Sequence, residues 1–208
     1  MSLLTSEPIQ PPGFLVLGMG NPLLCDDGVG LRVVETAERM LAGFGNSVAF
    51  KKNYCGGMDL LYDLIGVRKA IIVDSVQTVN ATAGHCHEFR LDELTHIVHD
   101  RLVYAHGVSL PTVMELGRQC GYAMPEDVVI FGIESSDVTS FSTEPTVNVR
   151  KSIMEVVNRI EKRLLAWFAE ADLALAPPAF AEASAADPSS PLLAGEGKRG
   201  SLARARQG

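Results

Sequence analysis

The chain has 208 residues, 47% of them hydrophobic, and its 18 basic against 25 acidic side chains give a formal net charge of −7. That is enough apolar material for one covered core and too little length for two ordinary domains. The acidic balance, with no Lys/Arg cluster in the patterned region, argues against a nucleic-acid partner. The four cysteines, at 25, 55, 86 and 120, form no C-x-x-C pair, so reduced thiols and a cytoplasmic location are expected rather than a disulfide framework. The start, MSLLTSEPIQPPG, lacks the basic and long apolar regions of a secretory signal, and no apolar run reaches the ~20 residues of a membrane span. A soluble protein without a membrane partner is expected.

From residue 14 onward, short β-branched runs alternate with segments of helical period, the pattern of an α/β sheet with crossover helices. FLVLGMG is continuously apolar, as a parallel strand buried on both faces should be, and Val29, Val33, Ala37, Met40 and Leu41 then recur at helical spacing. SVAFKKN reads as a second strand. GGMDLLYDLIG reads as a short helix with Met58, Leu61, Leu64 and Ile65 inward, and KAIIVDSV as a buried strand ending in Asp74. GHCHEFRL alternates and is polar enough to lie at a sheet edge. After an irregular segment containing His106, Ser109 is placed to cap a helix with Pro111 in its first turn. DVVIFGIES is the last buried strand, and a long helix follows from near Pro145 through Val149, Val156, Ile160, Leu164 and Trp167.

The expected fold is therefore a single three-layer α/β/α domain, with a mostly parallel, five-stranded twisted sheet and helices on both faces. A flexible N-terminal segment over 1–13, the α/β domain over 14–172 and a disordered Ala/Pro/Ser/Gly-rich tail over 173–208 complete the expected organisation.

The chemistry is sought in GMGNPLLCDDGVG. A dinucleotide fingerprint needs a third glycine where Leu23 stands, and Asp26 and Asp27 at a helix start would repel a phosphate. No nucleotide cofactor is expected. Each acid could be an N-cap, Asp26 the better candidate, which leaves Asp27 to project into the crevice at the carboxyl edge of the sheet. Asp74, at the end of its strand, reaches the same edge or else forms a turn. His106, just before a capped helix, is either structural or presented to that crevice. Together the three would form an O,O,N set for a borderline divalent metal with open positions. In HCHEF, His85 and His87 fall on one strand face and Cys86 on the other, so a solvated strand face is expected rather than a chelate. Cys25 reads as a small packing residue more readily than as a soft ligand.

The blocks GMGNPLLCDDGVGLRVVE, GGMDLLYDLIG, AIIVDSV, AHGVSLPTVM and FGIES resemble, in order and spacing, the nickel-iron hydrogenase maturation endopeptidase family from residue 14 to about 168. The resemblance implies metal contacts at Asp27, Asp74 and His106, the same triplet reached from the residues alone. It departs from the family pattern at Ser135, where the family carries Pro, and some members carry Glu at the position of Asp27. The implied activity is removal of a C-terminal extension from the precursor of a hydrogenase large subunit after nickel insertion, with nickel contributed by or shared with that substrate. No G-x-S-x-G elbow is present, so attack by water with Asp27 or Asp74 as base is expected rather than a covalent route. Gly56 and Gly57, in YCGGMD, are expected to contact the substrate, with a plain turn as the other reading.

Overall fold

The computed structural model describes residues 13–78, 81–91 and 109–175. The expectations for the N-terminal segment, for His106 and its surroundings, and for the tail past 175 lie outside the described residues. Five strands, β1 (Phe14–Met19), β2 (Val48–Asn53), β3 (Lys69–Val76), β4 (Cys86–Arg90) and β5 (Asp127–Glu134), form one sheet in the order β2-β1-β3-β5-β4. All neighbours pair in parallel except β4, which runs antiparallel to β5 with Cys86 opposite Ile133. The polar β4 is thus the edge strand that its alternation predicts.

The helices are α1 (Val29–Met40), α2 (Asp59–Leu64), α3 (Leu110–Gln119) and α4 (Val147–Leu175). Alternation along the strands decides which layer each packs against. Val16, Ile71, Val73, Val129 and Phe131 meet α1 and α4 through Val33, Ala37, Val156, Ile160 and Trp167. Leu15, Leu17, Ala70, Ile72 and Ile130 face the other way onto α2 and α3, through Leu60, Leu61, Leu64, Val113 and Met114. Burial of strand residues on both faces explains why β1, β3 and β5 are continuous apolar runs.

Ser109 caps α3 as expected, its hydroxyl accepting from the Thr112 N–H at 3.3 Å, with Pro111 in the first turn. One inward assignment is corrected, and one member of the α1 stripe does not reach the core. Met58 is 42% exposed and Met40 54% exposed. Met58 precedes α2, which begins at Asp59, so Leu60 takes the inward position instead. Met40 is the last residue of α1, where the apolar stripe has turned away from the sheet.

Candidate active site

The glycines of the opening motif serve backbone packing. A Cβ on Gly30 would sit 2.3 Å from the Val73 carbonyl oxygen and 2.4 Å from that of Met19, and a Cβ on Gly18 would sit 2.3 Å from the Gly30 oxygen. The first turn of α1 therefore lies directly on β1 and β3, closer than any side chain permits. Gly20 has φ +134°, and the space beside it is filled by the Asp27 carbonyl, 1.9 Å from where a Cβ would stand. The loop closes on itself where a dinucleotide loop would hold pyrophosphate.

Asp26 is not the cap of α1. That helix has Gly28 at its N-cap with no side-chain bond, after a single 3-10 turn over Cys25–Gly28. Asp26 is instead fully buried and binds distant chain. Its Oδ2 accepts from the Ser136 N–H and hydroxyl at 3.0 and 3.1 Å, the Asp137 N–H at 3.0 Å and the Thr146 hydroxyl at 3.1 Å. Its Oδ1 accepts from the Thr146 N–H at 2.7 Å, just ahead of α4. A carboxylate there complements the positive end of that helix and satisfies N–H groups that have no helical partner. Beside it, burial and then the Asp26 charge push the Cys25 thiol up, so Cys25 packs as a neutral thiol.

Asp27 and Asp74 come together at the carboxyl edge of the sheet. Asp27 Oδ2 accepts from the Asn21 N–H at 2.9 Å, and Oδ1 accepts from the Ser75 hydroxyl at 2.9 Å. Asp74 Oδ1 accepts from the Ser75 N–H at 2.8 Å. Ser75 thus touches both carboxylates. Neighbouring Ile72 faces the α2 and α3 layer, so alternation places Asp74 on that side and Ser75 on the α1 side. Asp74 is half-buried, and desolvation pushes its carboxyl up to about 7; the Ser75 N–H opposes this and the nearby Asp27 charge adds to it. A carboxyl poised near neutrality beside a second one is suited to taking and returning a proton.

The Gly56 and Gly57 loop follows β2 at the same edge. Both glycines have positive φ, 60° and 59°. Asn53 Oδ1 accepts from the Cys55 and Gly56 N–H groups at 3.1 and 2.7 Å, while its amide donates to Asp63 Oδ2 at 2.9 Å. The loop is therefore a pinned turn that leads into α2, on the Asp74 side. Among the described residues no group of three His, Cys, Asp or Glu side chains converges on a metal position.

Two features escaped the sequence reading. Ser75 carries no motif of its own; its signal is only that it follows Asp74 in a strand. Glu134, nearly fully buried at the end of β5, accepts from the Thr78 N–H and hydroxyl at 2.7 and 2.9 Å and lies 3.2 Å from His87 Nε2. His87 is thus held against a buried carboxylate, which corrects the expectation of a solvated face for that residue, whereas His85 is exposed. Ser135 is buried, and its N–H donates to the Val76 oxygen at 2.8 Å, a bond that a proline could not make.

Asp74 near the end of β3 and Asp27 in the turn before α1 gather at the carboxyl edge of the sheet, the edge at which open α/β sheets bind their ligands. The family model described as hydrogenase maturation protease matches residues 32–163, and the chain belongs to that family of peptide hydrolases. It is 24% identical over 163 residues to the Hydrogenase 2 maturation protease of Escherichia coli strain K12, covering 78% of this chain and 94% of that one. The solved structure of the hydrogenase maturating endopeptidase HybD from E. coli matches with a TM-score of 0.63 at 24% identity, over 74% of this chain and 92% of that one. The [NiFe] hydrogenase maturation protease HybD from Thermococcus kodakarensis matches with a TM-score of 0.52 at 22% identity, over 72% and 97%. These likenesses agree with the five-stranded sheet described above.

Proposed function

We propose that this protease removes the C-terminal extension from the nickel-loaded precursor of a nickel-iron hydrogenase large subunit. The observation that carries the reading is the convergence of Asp27 and Asp74 at one sheet edge, joined through Ser75. In this reading Asp27, Asp74 and His106 complete the coordination of nickel that arrives in the substrate, His106 lying outside the described residues. Carboxylate oxygens and an imidazole suit a borderline ion whose remaining positions are held by the precursor. Bound there, the nickel polarises the carbonyl of the bond to be cut. One of the two carboxylates takes the proton of the attacking water. Gly56 and Gly57 contact the substrate backbone, where the lack of a side chain allows close approach. α2, α3 and Asp74 share one side of the sheet, which supports a single crevice.

The test is incubation of the full chain with nickel-loaded and nickel-free precursor, read by intact mass. Loss of mass at the C-terminus of the loaded precursor only, abolished by Asp27→Asn in a folded variant, is expected. Unimpaired cleavage by Asp27→Asn would reject the site. A stable uncleaved complex would make the protein an escort, and thermal stabilisation by NAD or ATP would return it to the nucleotide-binding class.

A further inference from the structure

Ser75 lies inside β3, in register with Ile133 of β5, so its backbone is fixed by the ladder. Its two donors go to two different acids: the N–H to Asp74 Oδ1 at 2.8 Å and the hydroxyl to Asp27 Oδ1 at 2.9 Å. An aspartate carboxylate rotates in a broad, roughly two-fold torsional well, so one hydrogen bond leaves its plane free to swing. Two donors on opposite oxygens define that plane. For Asp27 these are the Asn21 N–H on Oδ2 and the Ser75 hydroxyl on Oδ1. Asn21 also fastens the loop itself, its side-chain oxygen accepting from the Leu23 N–H at 3.0 Å.

We propose that Ser75 is a positioning residue for peptide hydrolysis, its hydroxyl fixing the plane of the Asp27 carboxylate at a set distance from Asp74. The inference rests on the reading of Asp27 and Asp74 as the reacting carboxylates. A serine hydroxyl has one proton, and here it is committed to Asp27. Alanine at 75 keeps the N–H to Asp74 and removes only the contact to Asp27. Threonine keeps the hydroxyl and is at home in a strand.

Processing kinetics on nickel-loaded precursor should separate the cases. For Ser75→Ala, kcat should fall ~10–100-fold, as for other groups that orient a reacting side chain, with KM and melting temperature unchanged. Ser75→Thr should stay within about threefold of the parent, since it restores the same hydrogen bond. Parental kcat in Ser75→Ala, a loss confined to KM, a lowered melting temperature, or equal loss in Ser75→Thr would each overturn the proposal. Complete abolition of turnover in Ser75→Ala would also overturn it, because a hydroxyl that only orients Asp27 leaves residual cleavage. Asp27→Asn, assayed alongside, keeps the premises apart: if it still cleaves, the site reading fails, whereas an inactive Asp27→Asn with a fully active Ser75→Ala sinks the role of Ser75 alone.

Discussion

Asp74→Asn should make the protein more stable and less active, and the gain should depend on pH. The Asp74 carboxyl titrates at about 7 instead of the ordinary 3.8 because it is desolvated and faces Asp27. The native state therefore holds this proton more tightly than the unfolded chain does. Stability is unaffected by the group below about pH 4, falls as pH rises through the interval to about 7, and is flat above it. Each pH step of one costs ~1.4 kcal/mol in that window. An asparagine has no charge to desolvate, and its oxygen can still accept from the Ser75 N–H. Urea unfolding followed by circular dichroism, with chelator present, should show the stability of Asp74→Asn over the parent widening by ~2–3 kcal/mol between about pH 5 and pH 8. Titrating groups remote from Asp74 are common to both proteins and cancel. A gap that stays constant across this range, or that narrows as pH rises, would refute the argument.

Asp26→Ala should cost at least ~3 kcal/mol in the same unfolding assay, because the donors at Ser136, Asp137 and Thr146 lose a fully buried charged acceptor; a loss under about 1 kcal/mol would show that the loop refills the space. Gly30→Ala should push α1 off β1 and β3, since neither the Val73 nor the Met19 carbonyl can yield to a Cβ; loss of ~3 kcal/mol or of soluble protein is expected, and a parental urea midpoint would refute it. Ser135→Pro should lower stability by ~1–3 kcal/mol through the unmade bond to Val76. Unchanged stability in that variant would show that the bond contributes nothing.

Much of the fold was legible because burial on both faces leaves a continuous apolar run at β1, β3 and β5, and an edge position leaves alternation at β4. Asp27 and Asp74 were legible for a related reason: Asp74 stands near the end of a buried run and Asp27 at the helix start that follows another, and parallel strands stop at one edge. The role of Asp26 was not. Its partners lie more than a hundred residues away in sequence, and a local cap was the only partner that local spacing could offer. His87 was misread in the same way, since Glu134 reaches it from a different strand. Ser75 was hidden by its own alternation, which turns its side chain away from Asp74 and toward a loop that the β3 sequence does not contain.

The fastening of Asp26 also sets an order of assembly. The loop that carries Asp27 is made early in synthesis, but the groups that hold it, at Ser136, Asp137 and Thr146, are among the last parts of the domain to be made. Until those residues emerge, only water donates to Asp26, and its neighbour Asp27 is not fastened in place. A chain halted before Ser136 would possess both carboxylates and lack every one of the donors that hold Asp26.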